Sequence, residues 1–267
     1  MTLLTSVQLD AVDRLLRDVA RDVVMPRFQN LATHEVKEKA ADDLVTIADQ
    51  ESEIRLSEGL SAILPQSSVV GEEACAADPA VQDRIGDGAV WIIDPIDGTG
   101  NFAAGRAPFG LMVALAMDGE VRAGWMFDPL GNRMCHARLG EGAFIDGSPV
   151  QARGSGAPLP IAGISVLFMD PEQRRRTIEA ASGKLDMVDI PRCAAEQYPR
   201  VVLGQNDMSL FERTLPWDHA PGVLFLNEAG GVALRPDGSA YHITDRRTGL
   251  LAAASPALWE AGARILF

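Results

Sequence analysis

Two carboxylates, Asp94 and Asp97, stand at the end of an apolar run in the stretch AVWIIDPIDGTGNF, residues 89–102. The run Ala89-Val90-Trp91-Ile92-Ile93 has the length and β-branched content of a buried strand, which puts both acids at the strand's mouth. Pro95 cannot donate to a sheet ladder and Gly98 permits a tight backbone path, so the chain turns and brings the carboxylates together. Like charges held that close repel: one keeps a proton, or a cation lies between them. Oxygen donors at a rigid turn favour a hard divalent ion, Mg²⁺ first and Mn²⁺ or Ca²⁺ behind it. Beyond the acids, Gly98, Thr99 and Gly100 offer backbone N–H groups, and a helix beginning there would add its positive end to an anion site. Cation and anion sites on one turn are what metal-assisted phosphate chemistry requires.

Two other readings use the same residues. A strand followed by an acidic, helix-capping turn is the plain one, since Asp and Thr are common caps. The other is dinucleotide binding, because Gly98-Thr-Gly100-Asn-Phe-Ala103 fits GxGxxA after a strand and Asp118 follows at about twenty residues. A Rossmann unit, however, needs a helix and a second strand before that acid. Here Ala104-Gly-Arg-Ala-Pro-Phe-Gly110 breaks any helix early, and Asp118-Gly119 reads as a hairpin turn.

DPIDGTGNF resembles the signature of the inositol monophosphatase family of Mg²⁺-dependent, lithium-sensitive phosphatases. Three further family elements stand in the family's order: Asp43-Leu-Val-Thr-Ile-Ala-Asp49, Gly71-Glu72-Glu73, and Trp217-Asp218-His-Ala-Pro-Gly222. The resemblance implies an α+β fold, a layered αβαβα sandwich with an antiparallel N-terminal half and a mixed α/β C-terminal half. It implies metal ligation by Glu72, Asp94, the carbonyl of Ile96, Asp97 and Asp218, and water activation by Thr99 and Asp49 with Glu72 helping to position it. Glu73 falls behind the ligands. A homodimer is implied as well. In such a site a cation lowers the pKa of a water and neutralises phosphate oxygens, while the N–H groups of Gly98 and Thr99 hold the phosphoryl oxygens during in-line displacement.

The elements that must position these residues follow from periodicity. Val7, Leu9, Val12, Leu15, Leu16, Val19, Val23 and Val24 recur at helical spacing after a Thr5 or Ser6 cap. His34–Ala41 reads as a loop or hairpin; by the resemblance Lys39 falls about where the family carries a lysine near its active site, and its other reading is a solvated charge. From Asp42-Asp43, the residues Leu44, Val45, Ile47, Ala48, Ile54, Leu56, Leu60 and Ile63 read as a second helix that carries Asp49 and ends at Pro65. Residues 67–70 read as a strand, 74–88 as a polar connection, and 110–150 as an antiparallel meander that includes His136 as a structural residue. Residues 151–160, rich in Gly, Pro and Ser, divide an N-terminal half (1–150) carrying most of the metal site from a C-terminal half (151–267) carrying Asp218 and substrate contacts. In the second half, strands at Ile161–Phe168 and Leu185–Ile190 alternate with helices at Pro171–Ala181 and Ala194–Leu203, before a strand at Met208–Phe211 and a helix opened by Trp217-Asp218. Asp218 could cap that helix, where the dipole favours its ionised form.

Net charge −13 in 267 residues argues against a nucleic-acid partner, and no apolar stretch of membrane-spanning length occurs. Three cysteines, Cys75, Cys135 and Cys193, show no CxxC spacing and suit buried thiols in a reducing, cytoplasmic setting. No GxSxG, P-loop or His-x-x-x-His motif is present, against serine-hydrolase, nucleoside-triphosphatase and zinc-protease chemistry.

The chain departs from the family pattern at Gly100, where Thr or Ser is usual, and at Pro221, Glu196 and Tyr198. The acid that contacts the sugar or inositol in many members falls on Phe211, and Glu212, one residue on, is the candidate to replace it. The resemblance implies that the substrate is a small phosphate monoester, inositol monophosphate or a related sugar or polyol phosphate first, and these departures put that choice in doubt. Fructose 1,6-bisphosphate, a 3′-phosphoadenosine nucleotide and histidinol phosphate remain open, as does a non-catalytic metal-dependent binding protein. Acids at 196 and 212 would favour hydroxyls over a second phosphate, whereas Arg192, Arg200 and Arg213 could reverse that preference.

Overall fold

The computed structural model describes residues 4–40 and 43–267. In chain order the elements are α1 (Ser6–Val19), prolonged by a π-helical turn at Ala20–Val24, β1 (Val36–Ala40), β2 (Asp43–Thr46), α2 (Ile47–Ile63), β3 (Ser68–Gly71) and α3 (Glu72–Ala77). After a 3₁₀ stretch at Pro79–Gly86 come β4 (Ala89–Asp97), α4 (Thr99–Ala103), β5 (Gly110–Met117), β6 (Glu120–Asp128), β7 (Arg133–Arg138), β8 (Gly142–Ile145) and β9 (Ser148–Val150). The second half holds β10 (Ile161–Ile164), α5 (Pro171–Ala181), β11 (Asp186–Val188), α6 (Ala194–Val202), β12 (Met208–Phe211), α7 (Pro216–Glu228), β13 (Val232–Leu234), β14 (Leu250–Ala253) and α8 (Pro256–Leu266).

β3 to β9 form a seven-stranded sheet in sequence order, antiparallel except for the parallel pair β3 and β4. The second sheet runs β11-β10-β12-β14-β13, parallel among β10, β11 and β12 and antiparallel beyond. Because strand side chains alternate, each sheet offers two apolar faces and both are covered. Val12 and Leu16 of α1 and Leu56 and Leu60 of α2 pack on Trp91, Val113 and Trp125. On the opposite face Met112 and Met126 meet Tyr198 and Val201 of α6 and Phe225 of α7, which also cover Leu250 and Ala252 of the second sheet. The far side of that sheet, Met208 and Leu251, packs on Ala181 of α5 and on α8. The layers run α, β, α, β, α, and α6 and α7 are the shared filling between the sheets. Cys75, Cys135 and Cys193 are buried free thiols, and no helix among the described residues is long and apolar enough to cross a membrane.

The structure corrects three local readings. Leu44 and Val45 lie in β2, paired with β1, and the helix begins only at Ile47. Thr46 sets that boundary: its hydroxyl accepts from the N–H of Ala48, while the Asp49 carboxylate accepts from the N–H of Thr46, a reciprocal cap. Residues 74–88 are mostly helical rather than a bare connection. The strand opened at Ile161 stops at Ile164. Ala41 and Asp42, between the two strands of the first hairpin, lie outside the described residues.

Candidate active site

The acid pair of β4 faces one way because the strand is irregular. Asp94 pairs with Met112 and Asp97 with Gly110, so three steps along β4 match two along β5. Regular alternation would send residues three apart to opposite faces; the extra residue in the Pro95-Ile96 segment restores them to one. Both line one cavity of about 800 Å³.

Two other elements bring acids to the same place. β3 runs parallel to β4 with Gly71 beside Ile93, so Glu72, the first residue of α3, emerges next to Asp94. Glu53 of α2 accepts from the N–H groups of Glu73 and Ala74 and fastens that helix start; a Cβ at Gly71 would collide with its carboxyl. Asp218 stands in the first turn of α7, behind the N-cap residue Leu215 rather than at the cap itself. One donor oxygen from each of Glu72, Asp94 and Asp218 lies within 4.8 Å of the others.

The electrostatics of the cluster fit a hard cation. Burial, reinforced by the charges of Glu72, Asp97 and Asp218, pushes the Asp94 carboxyl well above the usual range. Burial likewise pushes Asp218 up to about 8, against the opposing pull of Arg213, whose Nη2 is 3.7 Å from Asp218 Oδ2. Asp94 Oδ1 is buried with no hydrogen-bond partner. Oxygen donors that repel one another, one of them unpartnered, match what Mg²⁺ or a similar ion requires.

Asp97 has a second task. Its Oδ2 accepts from the N–H of Ala195 at 2.6 Å, so an acid from the first sheet caps α6, whose own N-cap residue Cys193 supplies no side-chain bond. Burial raises its pKa to about 6, and the hydrogen bonds from Ala195, Cys193 and Ala194 oppose that rise. Asp97 is not one of the three acids grouped above and lines the cavity beside them.

Gly98 follows at φ +83°, a conformation open to glycine, and a Cβ there would meet the Pro108 carbonyl at 3.1 Å and Cys193 Cβ at 3.2 Å. The turn delivers Thr99 to the start of α4. Its hydroxyl lies 2.9 Å from the Ile96 carbonyl and 3.2 Å from Asp49 Oδ1. Asp49 is fully buried and does not itself line the cavity, whereas Thr99, which bonds it, does. Burial raises its pKa to about 7 although the Thr46 side chain and N–H both donate to it. Lys39 on β1 bridges Glu72 at 2.8 Å and Glu73 at 2.9 Å; burial alone would lower its pKa, but the two glutamates outweigh that and hold it above the ordinary lysine range.

The structure does not bring Glu212 to the site. Its carboxylate accepts from Gln173 Nε2 at 2.7 Å, and it does not line the cavity, whereas its neighbours Phe211 and Arg213 do. Glu196 is also outside, held by Arg133 and Arg200. The reading of the sequence passed over Glu53 and His219. Glu53 was signalled by its place four residues after Asp49, on the same helix face. His219 is buried, donates from Nε2 to the Arg213 carbonyl at 3.0 Å, and accepts from the Tyr198 hydroxyl on Nδ1 at 2.8 Å. Burial drops its pKa to about 3, so it stays neutral.

A family model described as the inositol monophosphatase family matches residues 6–266. Inositol-1-monophosphatase of Bacillus subtilis is 30% identical over 75% of this chain and 75% of its own length. Histidinol-phosphatase of Chlorobaculum parvum is 30% identical over 74% of each. Among solved structures, inositol monophosphatase II of Staphylococcus aureus MSSA476 superposes with a TM-score of 0.82 at 25% identity, over 98% of this chain and 94% of that one. With the matching fold and the acid cluster at the position of its signature, the chain belongs to the inositol monophosphatase family and is a phosphoric monoester hydrolase.

Proposed function

We propose that the chain hydrolyses a small phosphate monoester by direct attack of water, with Mg²⁺ held by Glu72, Asp94, Asp218, the Ile96 carbonyl and Asp97. Inositol monophosphate or a related sugar or polyol phosphate is the reference substrate, and lithium sensitivity, a homodimer and a cytoplasmic setting belong to the same reading. The observation that carries it is the convergence of Glu72, Asp94 and Asp218 on one point, with the Thr99 and Asp49 pair beside them. A bound divalent ion supplies positive charge to the phosphoryl oxygens and acidifies the attacking water.

The chain's own groups do the rest. Asp49 takes the Thr99 hydroxyl proton into a hydrogen bond, which leaves the Thr99 oxygen lone pairs free to accept from the attacking water and orient it. Gly98 and Thr99 present N–H groups at the start of α4 to the phosphoryl oxygens. Glu72 aids alignment of the water from the first turn of α3. Phosphate release from inositol 1-phosphate, followed with Mg²⁺ and with chelator, tests the reading. Thr99→Ala should lower kcat by about 10²-fold or more with a smaller change in KM. Undiminished kcat in that variant would remove Thr99 from the mechanism.

A further inference from the structure

The first turn of α7 carries Asp218 without the usual fastening. Leu215 stands at the N-cap and supplies no side-chain bond. Asp218 must nevertheless hold its place beside Glu72 and Asp94, which repel it. The outer side of the approach to the helix is anchored by Thr214. Its hydroxyl donates to the Arg247 carbonyl at 2.7 Å and accepts from Nη1 of the buried Arg235 at 2.9 Å. The inner side is anchored by His219, the residue after Asp218, whose Nε2 reaches back to the Arg213 carbonyl at 3.0 Å.

A histidine lining a catalytic cavity invites an acid–base reading, and the bonds of His219 argue against one. A carbonyl only accepts, so Nε2 carries the proton, and Nδ1 of the neutral ring accepts from the Tyr198 hydroxyl at 2.8 Å. Both ring nitrogens are spent on the protein, and neither is left for substrate or for a proton in transit.

Tyr198 leads back to the other half of the acid set. It is fully buried on α6, its ring stacked on Phe211 at 5.4 Å and seated against Gly222 of α7, where any Cβ would overlap it. About one turn earlier on the same helix, the N–H of Ala195 donates to Asp97. One run of contacts therefore passes from Asp97 through the start of α6 to Tyr198, His219 and the turn that bears Asp218.

We propose that His219, held by Tyr198, is a positioning residue that sets Asp218 in register with Asp97, so that acids from opposite halves of the molecule face one cation. The inference rests on the cation-site reading and adds the groups that keep its two halves matched. Without the Tyr198 hydroxyl, Nδ1 is a buried acceptor with no partner; without the imidazole, the Arg213 carbonyl loses its donor and the turn loses its inner anchor.

Mg²⁺ binding to the full chain, measured by calorimetry without substrate, tests this apart from turnover. His219→Leu should weaken Mg²⁺ binding about tenfold, and His219→Gln, which carries an N–H to nearly the place of Nε2, should recover most of that loss. Tyr198→Phe keeps the ring and deletes one oxygen, so it should fold as the parent does and weaken Mg²⁺ binding at least about threefold. Combined with His219→Leu it should add nothing further, because the pair acts as one unit. Val201→Ala, which opens a cavity beside the same helix, is the control for a merely structural effect: it should lower the melting temperature and leave Mg²⁺ affinity within about twofold of the parent. The inference is overturned if either Tyr198→Phe or His219→Leu stays within that margin, if the Gln variant is no better than the Leu variant, or if Val201→Ala loses as much affinity as they do. Should His219→Leu fail to fold, Tyr198→Phe decides alone. A parent that takes up no Mg²⁺ defeats the cation-site reading itself, and this inference falls with it.

Discussion

At the scale of single residues, Asp97 joins two functions that the sequence displays separately. It belongs to the acid pair of the signature, and it also caps a helix of the other half through the N–H of Ala195. The two roles respond differently to substitution. Asp97→Asn keeps an acceptor oxygen for the cap and removes a charge that repels Asp94, so the metal-free protein should unfold within a few degrees of the parent while Mg²⁺-dependent turnover falls away. Asp97→Ala removes the acceptor and should cost about 1–2 kcal/mol of stability. Thermal unfolding of the two variants with chelator present checks the difference; equal melting temperatures would show that the bond to α6 contributes nothing. The trans cap could not be read from the chain, because it joins residues almost a hundred positions apart. The place of Glu212 was illegible for a related reason: Phe211 and Glu212 are adjacent in sequence, and only the fold shows that Phe211 lines the cavity while Glu212 bonds Gln173.

At the scale of elements, the site depends on how strands and helices begin and end. The signature strand and its turn are legible from an apolar run, a proline and a glycine. The bulge that turns Asp94 and Asp97 to one face is not, since it exists only relative to β5. The start of α2 was misread because Leu44 and Val45 fit helical spacing, although Thr46 and Asp49, three apart, carried a capping signal that places the start later. The short helix α3 escaped notice because its N-terminus is secured by Glu53 from a different helix. That dependence makes a prediction. Glu53→Gln leaves one oxygen for two N–H donors and turns an amide NH₂ toward one of them, so it should lower stability by about 1–3 kcal/mol and weaken Mg²⁺ binding through displaced Glu72. Unfolding and Mg²⁺ titration of the variant measure both effects, and an unchanged Mg²⁺ affinity would separate Glu53 from the site.

At the scale of the whole molecule, the layered architecture was legible through the family resemblance, and the meander followed by alternating strands and helices agreed with it without fixing how the layers stack. The cost of the site is spread across it as buried acid. Asp97, Asp49, Glu53 and Asp218 all have pKa values raised by burial, to about 6, 7, 7 and 8, above the value near 4 that such groups have when unfolded. Between those limits the folded chain holds more protons than the unfolded one, so what these groups contribute to metal-free stability is full below about pH 4 and is lost as pH rises toward 8, by up to about 1.4 kcal/mol per pH unit for each group titrating. Melting temperatures in chelator should fall over that interval and Mg²⁺ should flatten the trend; a rise with pH would contradict the assignment. The central claim, that the acid cluster is the catalytic cation site, is met most directly by phosphate release from inositol 1-phosphate across an Mg²⁺ titration of the parent and of Asp94→Asn. The account predicts saturable dependence on Mg²⁺ in the parent and a loss of at least 10²-fold in the folded variant, and full turnover in chelator, or an unaffected variant, would contradict it.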